Sequence, residues 1–185
     1  ILPALEKEID CLVRVSNAAD ATQKDASNAA LTIKSKLSVT APNGGELWYV
    51  GDTARSITWS KWGNFATTVK LQYSIDAPHA VWTDITGATA LLASAGSFAW
   101  NPVPLGAAAT TTQVRVISNT NADILDASNA NFEARGIITL TAPISTSQWP
   151  NGYPQTIAWT LNSNTNNVNI YYSLDNGGTY TLITT

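Results

Sequence analysis

The sequence predicts an all-β protein built from antiparallel β-sheets. Apolar side chains alternate with polar ones, as at Val69, Leu71 and Tyr73, and a period of two marks strands with one buried face. Clusters of Gly, Pro, Asn and Asp interrupt the alternation at short intervals, for example at 42–45 and 119–126. No long segment has the apolar spacing of a helix. These three observations favour strands joined by tight turns.

Seven strands are predicted in the middle of the chain, each from a run of alternating side chains bounded by turn residues. They lie near 37–41, 55–60, 68–74, 81–85, 96–100, 113–118 and 130–135. Trp59 is in phase with Ile57 on the second of these strands, which predicts a tryptophan between two sheets. Seven short strands with turns at this spacing are typical of an immunoglobulin-like or fibronectin-like antiparallel sandwich.

The chain repeats itself with a period of about 100 residues, which is the size of a domain. LSVTAP at 37–42 returns as ITLTAP at 138–143, and VKLQYSID at 69–76 returns as VNIYYSLD at 168–175. The start of the chain matches the end of this unit instead. LVRVS at 12–16 and DASNA at 25–29 return as QVRVI at 113–117 and DASNA at 126–130.

The repeats divide the chain into one complete and two partial units. We expect the C-terminal part of a sandwich repeat at 1–36, a complete repeat at 37–136 and the N-terminal part of a further repeat at 137–185. Neither partial unit can bury enough apolar surface to offset its chain entropy alone. The two parts complement each other except for the counterpart of 88–101, which predicts a polymer or a segment of a longer array.

The composition of the chain limits the kinds of partner that the protein is expected to bind. Charged residues make up 12% of the chain and the net charge is -3, which favours neither a nucleic-acid surface nor an anionic membrane surface. No apolar run approaches the roughly 20 residues of a membrane-spanning helix, so no membrane insertion is expected. Lysine does not occur after Lys70, and a surface so weakly self-repelling suits self-association. Cys11 is the one cysteine, which excludes a disulfide within the chain.

Catalytic and metal-binding patterns find no support. His79 is the one histidine, and no nucleophile or acid stands at a spacing that would complete a catalytic set with it. Asp76 and Asp175 recur in a tight turn after a strand, where a carboxylate caps its own backbone. Asp25 and Asp126 are interpreted as turn residues of the same kind. We therefore predict no enzyme activity, no cofactor and no metal site.

The order of motifs resembles a known module. GGELWYVG at 44–51, ITW at 57–59, VKLQYSID at 69–76, WTDI at 82–85 and VRV at 114–116 are similar to the immunoglobulin-like domain of Ser/Thr-rich, cell-wall-associated fungal proteins and of repeats in very large prokaryotic surface proteins. The resemblance covers nearly all of the chain, although 137–185 departs from it at Pro150, Pro154 and Ala158. It implies an extracellular or cell-surface structural or adhesive module, with no catalytic residues to carry over.

The leading hypothesis is a structural subunit or segment of an extracellular filament, sheath or surface fibre. Its units would assemble head to tail, because the strands of 1–36 complete the sheets begun in 137–185 of the next copy. The side chains expected at this joint are Leu12, Val13, Val15, Leu31 and Ile33 on one side, and Ile138, Leu140, Ile157, Trp159, Val168 and Ile170 on the other.

An adhesin or carbohydrate-binding module is the alternative. Aromatic side chains near turns provide stacking platforms for sugars, and Trp62, Trp82 and Tyr153 are the residues expected to serve. In that case the partner would be a polysaccharide or other cell-surface material. The competing interpretation of Trp82 is that it closes one end of the sandwich.

Overall fold

β-strands and short 3-10 turns make up the regular structure of the chain. The computed structural model describes residues 9–33, 35–63, 68–163 and 167–184, so residues 1–8 of the predicted first unit lie outside it. The strands, in chain order, are β1 (Ile9–Cys11), β2 (Arg14–Ser16), β3 (Lys24–Ala26), β4 (Leu31–Ile33), β5 (Lys36–Ala41), β6 (Leu47–Tyr49), β7 (Ser56–Trp62), β8 (Thr68–Ser74), β9 (Thr83–Asp84), β10 (Leu91–Leu92), β11 (Ser97–Ala99), β12 (Ala109–Ser118), β13 (Leu125–Ala127), β14 (Phe132–Arg135), β15 (Ile137–Ala142), β16 (Ala158–Asn162), β17 (Ile170–Tyr172) and β18 (Thr181–Thr184). The all-β prediction is confirmed.

The larger of the two main sheets is built on β8 and β12, which have seven and ten residues. Its path runs β10-β8-β12-β14-β6, with β13 also paired to β12 and β9 to β8. The β8–β12 pair is antiparallel and sets Val116 opposite Leu71 and Val114 opposite Tyr73. β6 joins the sheet edge parallel to β14.

The smaller main sheet has the order β11-β7-β5, so that β5 is an edge strand. Its antiparallel register sets Val39 opposite Trp59. Apolar side chains of both sheets meet in a single buried cluster that includes Leu37, Val39, Ile57 and Trp59 from the smaller sheet and Val69, Leu71, Val114, Val116 and Phe132 from the larger one. Two sheets therefore face each other across one core, and that core lies within the predicted complete repeat.

The predicted strands of the middle unit are found within a few residues of their expected bounds, and three further short ones accompany them. These are β6, β10 and β13, none longer than three residues. A strand of two or three residues is too short for alternation to be visible in the sequence. β6 also finds its partner β14 far along the chain, and no local pattern reports such a pairing.

Separate two-stranded sheets flank the middle unit. β1 pairs with β4 and β2 with β3 before it, and β15 pairs with β16 and β17 with β18 after it. The helical elements that the structure describes are the 3-10 turns Ala93–Ala95 and Leu105–Ala107, and neither is long and apolar enough to cross a membrane.

Candidate assembly surface

The N-terminal strands repeat the pairing of the last strands of the middle unit. β2 and β3 set Arg14 opposite Ala26 and Val15 opposite Asp25. β12 and β13 pair in the same register, 101 positions later, with Arg115 opposite Ala127. β1 and β4 likewise set Cys11 opposite Leu31, where β12 and β14 set Thr112 opposite Phe132. Residues 9–33 thus hold three stretches of strand in the arrangement of β12, β13 and β14.

A serine stabilises this arrangement both in the N-terminal segment and in the middle unit. The backbone N–H of Ser27 donates to the carbonyl of Val13 at 2.8 Å, and the N–H of Val13 donates to the Ser27 hydroxyl at 3.1 Å. Ser128 and Val114 make the same two bonds at 2.9 and 3.1 Å. The local hydrogen bonds of the N-terminal segment therefore form without the rest of a unit.

The C-terminal strands repeat the first strands of the middle unit. β15 and β16 set Leu140 opposite Trp159, as β5 and β7 set Val39 opposite Trp59, and the register shifts at the equivalent place in both pairs. β17 and β18 set Tyr172 opposite Thr181, as β8 and β9 set Tyr73 opposite Thr83. Residues 137–184 thus hold the counterparts of β5, β7, β8 and β9.

Equivalent apolar side chains differ sharply in exposure between the middle unit and its flanks. Val15 is 73% exposed, whereas Val116 at the equivalent position is fully buried at 0%. Leu140 is 58% exposed and Val39 only 2%. Trp159 is 37% exposed, against 3% for Trp59. The flanking strands are formed, but their apolar faces are partly open to solvent.

The six side chains predicted for the C-terminal side of the joint come together around one cleft. This C-terminal cleft has a volume of about 220 Å³. It is lined by Ile138, Leu140, Ile157, Trp159, Val168 and Ile170, together with Asn169 and Tyr171. In the middle unit the equivalent side chains are buried against Val114, Val116 and Phe132 in the core cluster. The sequence repeat alone was enough to find this set.

Four of the five side chains predicted for the N-terminal side of the joint have counterparts that are core residues in the middle unit. Val13, Val15, Leu31 and Ile33 correspond to Val114, Val116, Phe132 and Ala134, all buried in the middle unit. We call these four side chains the N-terminal face. Leu12 is different, because its equivalent Gln113 is only half-buried and its side-chain amide donates to Asn131 at 2.9 Å. Strand alternation sets Leu12 on the opposite side from Val13.

Two polar contacts join β13 and the turn after it to β5 in the middle unit. The Val39 N–H donates to the Asp126 carboxylate at 2.8 Å, and the Ser128 hydroxyl donates to the carbonyl of Pro42 at 2.8 Å. The turn role predicted for Asp126 does not account for this long-range contact. The sequence contains one indication of this contact, because DASNA recurs at 25–29 and 126–130. A turn that is capped by the aspartate alone does not need the serine.

The predicted ligand aromatics lie in different surroundings. Trp62 is exposed, with the Lys36 ammonium 5.5 Å from its ring centroid. Trp82 is half-buried and carries the Arg115 guanidinium 4.4 Å above its ring, so one face is already covered. Tyr153 is exposed on the loop between β15 and β16.

The predicted turn role of Asp76 and Asp175 is confirmed. The N–H of Ala80 donates to the Asp76 carboxylate at 2.9 Å, and the N–H of Thr179 donates to that of Asp175 at 2.8 Å. The Ser173 hydroxyl, followed by the bonds from Thr179, lowers the pKa of Asp175 to about 2. The pKa of Asp76 is lowered mainly by its bond from the Ser74 hydroxyl. Both carboxylates are solvent-exposed turn caps.

The comparisons with known proteins give no family assignment, because no family model, no curated protein and no solved structure matches the chain. Within the described residues, no three His, Cys, Asp or Glu side chains are grouped so that they could hold a metal ion. His79 lies 3.0 Å from the Asn131 side chain through its Nε2 atom, and its ring is held in the turn after β8. The feature that remains to be explained is the pair of open apolar faces.

Proposed function

We propose that the protein is a structural subunit or segment of an extracellular fibre, assembled head to tail. In this proposal the N-terminal face of one copy fills the C-terminal cleft of the next and rebuilds a two-sheet unit. One observation carries the proposal: both flanks reproduce strand pairings of the middle unit, while the equivalents of its core side chains are exposed or only half-buried.

The units of the fibre would be tandem immunoglobulin-like sandwiches. Support comes from the two sheets that face each other across the core of the middle unit, from the short antiparallel strands with frequent turns, and from the resemblance of the motif order. An extracellular or cell-surface location follows from the same resemblance and is part of the proposal.

The middle unit supplies the register of the joint. Val116 lies opposite Leu71 and Val114 opposite Tyr73 in the β8–β12 pair. Transferred through the repeat, this register sets Val15 of one copy opposite Ile170 of the next, and Val13 opposite Tyr172. β17 would then gain a neighbouring strand on one of its edges. This is the edge where its counterpart β8 pairs with β12 in the middle unit.

Burial of the apolar side chains would supply most of the free energy of the joint. A fully buried Val, Leu or Ile side chain contributes about 1.5–3 kcal/mol relative to an exposed one. The N-terminal face and the C-terminal cleft together offer ten such side chains or larger. A joint of this kind would be long-lived even after the entropy of association is subtracted.

A disulfide at the joint tests the proposal at the level of register. The Leu71 N–H donates to Ala88 and its carbonyl accepts from Ile85, so its backbone groups point away from β12. Leu71 and Val116 therefore form a non-hydrogen-bonded pair, whose Cα atoms lie about 4.5 Å apart and suit a disulfide. The matching substitutions are Val15→Cys with Ile170→Cys, in a chain that also carries Cys11→Ser.

Under mild oxidation this variant should form a ladder of disulfide-linked oligomers on a non-reducing gel. The matched control is Val15→Cys with Asn169→Cys, which moves the second thiol to the opposite side of the strand and should form few links. A disulfide within one chain, or equal ladders from both variants, would contradict the register. A protein that stays monomeric in sedimentation at every concentration, with no fibres in negative-stain micrographs, would contradict the function.

Carbohydrate binding remains a second proposal, favoured by the exposure of Trp62 and Tyr153. A sugar ring stacks on an uncovered aromatic face, and Trp62 offers one beside a lysine. Binding to a polysaccharide array should be lost in Trp62→Ala and largely kept in Trp62→Phe. An array on which the protein binds no polysaccharide would exclude this alternative.

A further inference from the structure

The contact between Asp126 and Val39 closes an edge of the middle unit. β5 is the edge strand of the smaller sheet, and its Val39 N–H donates to a carboxylate 87 residues away instead of to a strand. An unpaired N–H on a sheet edge is a site where other strands can add. Asp126 occupies it with a charge-assisted hydrogen bond, which is stronger than a neutral one.

The same two groups exist in the flanks, but on opposite ends of the chain. Asp25 is the equivalent of Asp126, and it lies opposite Val15 as Asp126 lies opposite Val116. Leu140 is the equivalent of Val39, and it lies opposite Trp159 as Val39 lies opposite Trp59. Asp25 is exposed, and within the described residues its carboxylate accepts no hydrogen bond.

We propose that Asp25 of one copy of this chain accepts a hydrogen bond from the backbone N–H of Leu140 in the next copy. The inference rests on the proposed function, because it names the polar contact that accompanies the apolar joint. Ser27 would make the second contact, since Ser128 at the equivalent position donates to the carbonyl of Pro42 and Pro143 stands where Pro42 does.

Asp25 acts here as a recognition residue for register. Apolar side chains of similar size discriminate poorly between the correct register and a shifted one. A slip of one residue moves every side chain of the strand, including that of Asp25, to the other face of the sheet. In a slipped joint the carboxylate would be desolvated without a donor, and an unpaired buried charge is costly. The correct joint is the one that gives the carboxylate a backbone N–H.

The test measures association of the full chain by sedimentation velocity over a range of concentrations. Asp25→Ala should weaken association by about ten- to a hundredfold, the range expected for the loss of a hydrogen bond to a charged group. Asp20→Asn is the matched control, because it removes one negative charge from the same segment. Asp20 caps its own turn through Thr22, and asparagine stands at the equivalent position 121.

Two further variants make the outcome decisive. Asp25→Asn keeps an acceptor oxygen and should recover much of the association. Asp126→Ala should lower the urea midpoint of the middle unit in dilute protein, whereas Asp25→Ala should leave that midpoint unchanged, which shows that the variant still folds. If Asp25→Ala, Asp20→Asn and the parent chain associate equally strongly, the inference about Asp25 is overturned, while the proposed function is not. A parent chain that does not associate at all would overturn the proposed function and this inference with it.

Discussion

The flanks form several of the strand pairs of the middle unit, yet among the described residues the buried apolar core lies in the middle unit alone. Arg14, Val15 and Ser16 are paired in the register of Arg115, Val116 and Ile117, and their turn is closed by the same serine bonds. The comparison separates two contributions to the fold. Short hairpins are specified by local turns and alternation, whereas burial needs strands that are distant in sequence.

This difference predicts how the flanks behave in solution. An isolated two-stranded hairpin is marginally stable in water, because it covers too little apolar surface. The flanks expose Val15, Ile138 and Leu140, all of which have buried equivalents. We therefore expect the flanks to contribute little to the stability of a dilute monomer and to become stable when their apolar faces are covered.

The largest expected difference comes from one substitution made at two equivalent positions. Val116→Asp puts a carboxylate into the core of the middle unit and should cost about 3–5 kcal/mol, enough to unfold a marginally stable unit. Val15→Asp should leave the unfolding of the dilute monomer unchanged and abolish assembly. Circular dichroism in urea and sedimentation velocity measure the two effects.

Ala21→Asp is a suitable control for the assembly measurement, because Ala21 and its equivalent Ala122 are both exposed turn residues. Assembly of Val15→Asp at the level of the parent chain would mean that the N-terminal face is not buried in the joint. A stable, folded Val116→Asp would mean that the core of the middle unit is described wrongly.

The sequence was sufficient for the parts of the fold that alternate locally. The predicted strands at 37–41, 68–74 and 113–118 correspond to β5, β8 and β12. It was insufficient for β6, which has three residues and pairs in parallel with β14 after a long excursion of the chain. Period and turn chemistry carry information about neighbours in sequence, and a parallel pairing across the unit leaves no such trace.

The surface of the flanks was predictable only through the repeat. Alignment with the middle unit gave the six residues that line the C-terminal cleft, because each matched a strongly apolar strand position. The contact of Asp126 with Val39 was not predicted, since an Asp in a turn has an adequate local explanation and the return of DASNA does not identify Val39 as its partner. Leu12 is apolar, but its equivalent Gln113 alternates along β12 with the buried Val114, so Leu12 does not belong to the N-terminal face.

The next largest difference is expected between Trp59 and its equivalent Trp159. Trp59 is buried and its indole N–H donates to the carbonyl of Ala93 at 2.9 Å, so Trp59→Ala should cost about 3–5 kcal/mol of unfolding free energy. Trp159→Ala removes a side chain that is partly exposed in the cleft and should cost less than about 1 kcal/mol in dilute protein. Equal losses from the two substitutions would show that the C-terminal cleft is already covered within the monomer.

A smaller effect is expected where an arginine covers an aromatic ring. The Arg115 guanidinium lies 4.4 Å from the ring centroid of Trp82, and such a contact contributes about 0.5–1 kcal/mol. Arg115→Ala should lower the stability of the middle unit by more than that amount, because the Arg115 Nε–H also donates to the side-chain oxygen of the buried Gln72 at 2.7 Å. Arg14→Ala should leave the monomer unchanged and weaken association only a few-fold, because Arg14 would meet Tyr180 across the joint.

Arginine-to-lysine variants are the controls for this contact. Lysine keeps the charge but lacks the planar group that stacks on a ring, so Arg115→Lys should recover only part of the loss. Urea denaturation measures the stability of the Arg115 variants, and sedimentation velocity measures the association of the Arg14 variants. A full recovery by lysine at both positions would indicate that charge alone, and not stacking, accounts for the contact.

The smallest difference between the regions is expected at the turns after β8 and β17, because these turns need no core. Hydrogen bonds from Ser173 and Thr179 hold the pKa of Asp175 at about 2, below its ordinary value of 3.8, and the pKa of Asp76 is lowered in the same way. A depressed folded-state pKa means that the ionised carboxylate stabilises the turn above pH 3.8, and that this contribution disappears as the pH falls through about 2. Carboxyl carbon NMR should therefore show Asp175 titrating near pH 2. Ser173→Ala should raise the pKa of Asp175 toward 3.8 and leave Asp76 unchanged, and an unaltered Asp175 would show that the serine does not cap this turn.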